Sequence, residues 1–133
     1  MSAGYSGTPL AKKLGIKPRH RLMLLNAPEN LALDLPDGVT VLKRARGTAD
    51  VIVSFHTEFR DYARRLPKLR ACMEPATGLW IAWPKQASKV PTDMTEHVVR
   101  AAALANALVD NKVAAIDDTW SGLRLVIRLK DRP

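Results

Sequence analysis

Few residues in this chain are of types that do chemistry, and they stand too far apart to act unless a fold gathers them. His56 titrates near neutrality and is the candidate general base, with Asp117 or Asp118 available to orient its imidazole. Lys85, directly after Trp83-Pro84, offers a point charge for a phosphate or carboxylate. Trp120 and Ser121 follow Asp117-Asp118-Thr119, and an aromatic ring at such a turn is either a lid over a site or an anchor for a partner. Each has a structural alternative. A histidine between a strand end and a helix start is commonly a hydrogen-bonded structural residue, and that reading is preferred because a base needs geometry that spacing alone does not supply. Lys85 serves equally as a solvated loop lysine, and Asp117-Asp118 as turn formers. The aspartate pair has no further oxygen ligands at fixed spacing for a hard cation, so no metal is expected. His20 and His97 have no ligand-spaced partner, Gly-x-Ser-x-Gly does not occur, and no cofactor follows from these residue types. Cys72 lies beside Leu69 and Met73 and reads as a buried or half-buried small hydrophobe and not a nucleophile; Trp80 and Trp83 lie inside a strand pattern and read as core or half-buried packing.

The elements that must position these residues alternate between strand and helix. Thr8-Pro9-Leu10 through Gly15 predicts a short helix, with Thr8 as N-cap and Gly15 just past the end. The apolar run Arg21 to Ala27 is a strand buried on both faces, and Pro28 to Leu33 is at most a turn or two of helix. Pro36-Asp37-Gly38 turns the chain into a second strand, Val39 to Leu42; β-branched Asp50 to Phe55 is the third. Phe59, Tyr62, Leu66, Leu69 and Met73 recur at helical spacing, with Pro67 predicting a kink or a break. Gly78 to Pro84 is the fourth strand, and Lys85 to Pro91 a surface loop. Asp93-Met94-Thr95-Glu96 has capping-box character and opens a helix that runs through Leu108. Val109 to Ile116 is a fifth strand, and Trp120 to Leu129 a sixth that returns antiparallel.

The expected fold is therefore α/β: a mostly parallel, doubly wound sheet of about six strands closed by an antiparallel C-terminal hairpin. In such a sheet the strand ends share one edge, where ligands bind near the point at which strand order reverses. That edge should carry Asn26 and Glu29 after the first strand, Lys43 and Arg44 after the second, and His56 and Thr57 after the third. Lys85 follows the fourth strand and Asp117 with Asp118 the fifth, Trp120 and Ser121 being close by.

A chain of 133 residues, 47% hydrophobic and 26% charged, can bury one core and excludes wholesale disorder. One domain over 1–133 is expected, residues 1–20 forming an arm and short helix packed on it. The single cysteine rules out an intrachain disulfide framework and fits a reducing compartment. The polar start Met1 to Pro9 lacks a basic and then apolar leader pattern, and no apolar run approaches the ~20 residues of a membrane span; a cytoplasmic place and no membrane are expected. The net charge of +8 admits anionic ligands, acidic proteins or nucleic acid as partners. Basic residues are scattered along the sequence and aromatics are only 5%, so a solvated surface is favoured over a nucleic-acid face.

Two segments resemble class I methyltransferases: Leu14-Gly15-Ile16-Lys17-Pro18 leading into Leu22 to Leu25, and Leu66-Pro67-Lys68-Leu69-Arg70 through Pro75-Ala76-Thr77-Gly78 into Leu79 to Ala82. More closely, Tyr5-Ser6-Gly7-Thr8-Pro9-Leu10-Ala11, Trp83-Pro84-Lys85 and Trp120-Ser121-Gly122-Leu123 resemble a bacterial domain family that brings no known activity. The methyltransferase resemblance implies a Rossmann-like scaffold. It also implies a glycine loop after the first strand and a ribose-binding acid after the second, to hold S-adenosylmethionine. Here those places read Asn26-Ala27-Pro28-Glu29 and Lys43-Arg44, and the stretch between Leu42 and Asp50 has no room for a helix, so one strand-helix unit is missing. The leading expectation is a non-catalytic module binding a small anionic ligand or a protein at the strand-end edge. The alternatives are a transferase acting on a nucleotide or anionic substrate, with His56 as base, and a nucleic-acid-binding protein.

Overall fold

The computed structural model describes residues 8–132; Tyr5-Ser6-Gly7 and the expected polar start before them lie outside these. Its elements are α1 (Leu10–Lys13), β1 (Arg21–Leu25), β2 (Thr40–Leu42), β3 (Ala49–Phe55), α2 (Phe59–Ala71), β4 (Met73–Pro84), α3 (Glu96–Ala105), β5 (Leu108–Ala115) and β6 (Trp120–Ile127). The strands form one sheet in the order β2-β1-β3-β4-β6-β5. β2, β1, β3 and β4 pair parallel, while β6 runs antiparallel to both β4 and β5. β5 therefore points the same way as β1, so five strand ends and the start of β6 meet at one edge. Strand order reverses between β1 and β3, with β2 on the far side of β1.

The two faces are covered unequally. α2 turns Tyr62, Leu66 and Leu69 inward and α3 turns Val99 and Ala103, closing one face over Met23, Ile52, Leu79 and Leu125. The Tyr62 hydroxyl donates to the Val99 carbonyl at 2.8 Å, tying the two helices together. The other face, carrying Leu22, Val51, Val53, Phe55 and Trp80, is covered by α1 and by the irregular stretch between β1 and β2, whose Leu31, Leu33 and Leu35 pack on it. α1 is held down by burial of Ala11 and Leu14 and by the fully buried Trp80, whose Nε1–H donates to the Leu14 carbonyl at 3.1 Å. A side chain at Gly122 would press on both Ile116 and Trp80, so this glycine lets the two rows of apolar groups close against the backbone of β6.

Several boundaries differ from the sequence reading, each for a local reason. The cap position of α1 is Pro9 and not Thr8, and its C-terminus closes with Ile16 donating to Ala11 (2.9 Å) and Gly15 to Lys12 (3.1 Å), Gly15 adopting φ +81°. Pro28 to Leu33 forms no helix, only one turn in which Leu31 donates to Pro28 at 3.2 Å. Pro67 does not divide α2, which is a single helix from Phe59 to Ala71; the proline lies on its exposed side. β4 begins at Met73, ahead of the expected Gly78. Thr77 makes this possible, its hydroxyl donating to the Ala49 carbonyl (2.6 Å) and accepting from the Glu74 N–H (2.9 Å) across a register shift. Thr95 alone caps α3, accepting from Val98 at 3.2 Å, whereas Asp93 accepts from Phe59 and caps α2. Leu108 belongs to β5, because Ala107 at φ +62° ends the helix before it.

Candidate functional site

The strand-end edge is split by the sheet into two unlike sides. Phe55 and His56 are consecutive and so face opposite ways. Phe55 meets Trp120 edge to face at 5.1 Å between ring centroids on the α1 side, whereas His56 lies under α2 against Tyr62. His56, Lys85 and Trp120 therefore do not share one pocket.

His56 is 1% exposed, and both its ring nitrogens are used. Nδ1 lies 2.7 Å from Asp61 Oδ2 and Nε2 lies 2.7 Å from the Ser54 hydroxyl. The residue that orients the histidine is thus Asp61, in the first turn of α2, and neither Asp117 nor Asp118. Burial lowers the pKa of His56 by more than the hydrogen bond and charge of Asp61 raise it, which keeps the imidazole neutral. Burial also opposes ionisation of Asp61, but hydrogen bonds from His56, Arg65 and Arg64 outweigh it and hold the carboxyl below its ordinary range. The consistent arrangement is Nδ1–H donating to a carboxylate while Nε2 accepts the Ser54 proton. Ser54 is itself fully buried, and this Ser-His-Asp chain joins the end of β3 to the start of α2.

The α1 side holds a cleft of about 620 Å³. α1 contributes Leu10 and Lys13, the β1–β2 connection Asn30, Leu31 and Asp34, and the β5–β6 turn Ile116 to Thr119. Asp117 shapes that turn, its Oδ1 accepting from the N–H groups of Thr119 and Trp120, both at 2.8 Å. Of the residues expected at the edge, Asp117 and Asp118 line this cleft. Thr57 lines a shallower depression with Glu58, Arg60, Asp61 and Arg64 on the other side. Asn26, Glu29, Lys43 and Arg44 are exposed and line neither. Lys85 and Ser121 line neither as well: the Lys85 N–H closes on the Thr119 carbonyl at 2.8 Å, and Ser121 is paired within the sheet. Lys13, Asn30 and Asp34 escaped the sequence reading because their neighbourhood, a four-residue helix and an irregular loop, carries no periodic signal. Cys72 is buried as expected, and burial raises its thiol pKa against the pull of Lys68. Among the described residues, no cluster of His, Cys, Asp or Glu could hold a metal ion, and no helix is long and apolar enough to cross a membrane.

Solved structures share this architecture at low sequence identity. Magnesium protoporphyrin IX methyltransferase (ChlM) from Synechocystis PCC 6803, with bound SAM, matches with a TM-score of 0.59 and 10% identity over 90% of this chain and 74% of its own. CalO1, a methyltransferase in calicheamicin biosynthesis, matches at 0.60 and 16% identity over 90% of this chain and 52% of its own. The fold is a shortened class I methyltransferase fold. A ribosomal protein L11 methylase from Lactobacillus delbrueckii subsp. bulgaricus matches at 0.55 and 11% identity, over 90% of this chain and 75% of its own. The chain thus spans about half to three-quarters of the length of these proteins. No protein-family model matches the sequence, and no curated protein matches it.

The shortening is visible in the methyltransferase fold itself. Six residues, 43–48, connect β2 to β3 where the resemblance implies a further strand and helix. The places that would hold S-adenosylmethionine do not fit it. After β1, Asn26 takes the left-handed φ of +58° that a glycine would favour, but Pro28 has no N–H to donate and side chains stand where backbone must approach a ligand. After β2, the exposed cations Lys43 and Arg44 stand in place of a carboxylate.

Proposed function

We propose that the chain is a non-catalytic binding module that uses a methyltransferase scaffold to hold a small, hydroxyl- or amine-bearing molecule in the cleft beside α1. The observation that carries this reading is the lining of the cleft: Asp34, Asp117 and Asp118 supply acceptors, Lys13 is the only cation among the described lining residues, and Leu10, Leu31 and Ile116 supply apolar contact. A free anion would meet three carboxylates there, whereas ribose hydroxyls or an ammonium group would find partners. A concave, partly apolar site with a few polar groups at the strand-end edge is the usual setting for a ligand in this architecture. The reading is non-catalytic because the candidate base His56 lies under the opposite face with both nitrogens engaged, and Cys72 is buried.

Thermal-shift measurements with nucleosides, polyamines, S-adenosylmethionine and S-adenosylhomocysteine test it, since a ligand that binds only the folded state raises Tm. A nucleoside or polyamine should raise Tm, and Asp34→Asn with Asp118→Asn should abolish the shift while leaving the free protein's Tm nearly unchanged. Absence of a shift from any nucleoside or polyamine at millimolar concentration would overturn the reading. Methyl transfer from S-adenosylmethionine would do so as well.

A further inference from the structure

The scatter of basic residues along the sequence does not survive folding. The loop 43–48 carries Lys43, Arg44 and Arg46, and α2 carries Arg60, Arg64, Arg65, Lys68 and Arg70. Leu42 and Ala45 pack on the same hydrophobic cluster that α2 covers, so the loop crosses β1 on the α2 face, and β1 is the sheet neighbour of β3, from which α2 departs. Within these two segments eight cations face one acid, Asp61, a net charge of +7 where the whole chain carries +8. Lys43, Arg44, Arg46, Arg60, Arg64 and Lys68 are exposed. Arg60, Arg64 and Lys68 recur every fourth residue and so form one ridge along the outer side of α2.

We infer that this face is a docking surface for the phosphate backbone of duplex DNA, distinct from the cleft on the other side of the sheet. Charge complementarity selects a polyanion, because neutralising several phosphates at once releases condensed counterions. The absence of an exposed aromatic ring among the described residues of α2 and the 43–48 loop selects a duplex over a single strand: Tyr62 is buried and Phe59 half-buried against it, leaving no platform for unstacked bases. An exposed basic helix also suits the wide major groove of B-form DNA, whereas the narrow major groove of A-form RNA excludes it. α2 has no Asn or Gln, the bidentate readers of adenine, and its cations are assigned to phosphates, the contacts that position a protein on the duplex.

Fluorescence anisotropy with a labelled DNA duplex of about 20 base pairs, titrated between about 50 mM and about 200 mM salt, tests the inference. Six phosphate contacts give a log-log salt slope of about −5, hence about a thousandfold weaker binding across that range. Replacing Arg44, Arg46, Arg60 and Lys68 together by Gln should bring the slope to about −2, with Tm nearly unchanged because all four side chains are exposed. Replacing exposed Lys12, Lys17, Lys112 and Lys130 by Gln removes the same charge elsewhere and should leave the slope near −5. Equal losses in the two quadruple variants, no binding at the lowest salt, tighter binding of an RNA duplex, or tighter binding of anionic phosphatidylserine vesicles would each overturn the assignment.

Discussion

His56 behaves as a joint between β3 and α2, and its burial has a consequence for pH. Because burial holds its pKa below the ordinary 6.5, the unfolded chain takes up this proton first as pH falls. The unfolded state then binds more protons than the folded one, so stability rises with pH across that window. The contribution of His56 is complete above 6.5 and declines as pH falls below it. Asp61, also held below its ordinary 3.8, contributes above that value, and its share is lost as pH falls through its lower folded pKa. Urea unfolding between about pH 7.5 and about pH 5 should show this decline, and His56→Asn should flatten it. An unchanged slope in the variant would refute the assignment. The histidine was legible as a residue of interest; its partner was not. Ser54 in β3 and His56 just past its end, two apart in extended chain, share a face, and Asp61 in the following helical turn lies within their reach, a pattern that the distant Asp117-Asp118 pair obscured.

At the scale of elements, α2 shows how tertiary packing overrides a local breaker. Tyr62, Leu66 and Leu69 anchor the helix on both sides of Pro67, which interrupts one solvent-side hydrogen bond without releasing the buried stripe. Relieving the interruption should stabilise the protein. Pro67→Ala restores the N–H at an exposed position, worth up to about 3 kcal/mol in a helix interior, less about 0.4–1 kcal/mol for the greater freedom of the unfolded chain. A net gain of about 1–2 kcal/mol in denaturant unfolding is expected, and a loss would refute this account. The mostly parallel sheet, the antiparallel return of β6 and the short connection between β2 and β3 were legible, since buried β-branched runs and connection lengths are properties of the sequence; the order of the strands was not. The early start of β4 was not. It depends on one hydroxyl, that of Thr77, bridging Ala49 and Glu74, a long-range contact that no local pattern announces.

Across the whole molecule, the two faces of the sheet differ in charge and in kind of cover. The cleft was hidden from sequence reasoning because half its wall is irregular chain, and the basic ridge because its two segments meet only in the fold. The irregular cover has a kinetic consequence. Among residues 27–38 only Leu31 donates its backbone N–H to an acceptor within the described protein, whereas α2 and α3 keep theirs in regular helices. Protection against hydrogen exchange should therefore be lopsided: amides of 27–38 exchange with deuterium within seconds while those of β3 and α2 persist, because exchange from hydrogen-bonded cores requires larger openings. Mass spectrometry of exchanged peptides reads the contrast directly, and slow exchange throughout 27–38 would contradict it. Asn30 to Asp34 belong to this loosely bonded stretch and form one wall of the cleft, so a molecule seated there should register as newly slowed exchange in this wall, while the helical face keeps its rates.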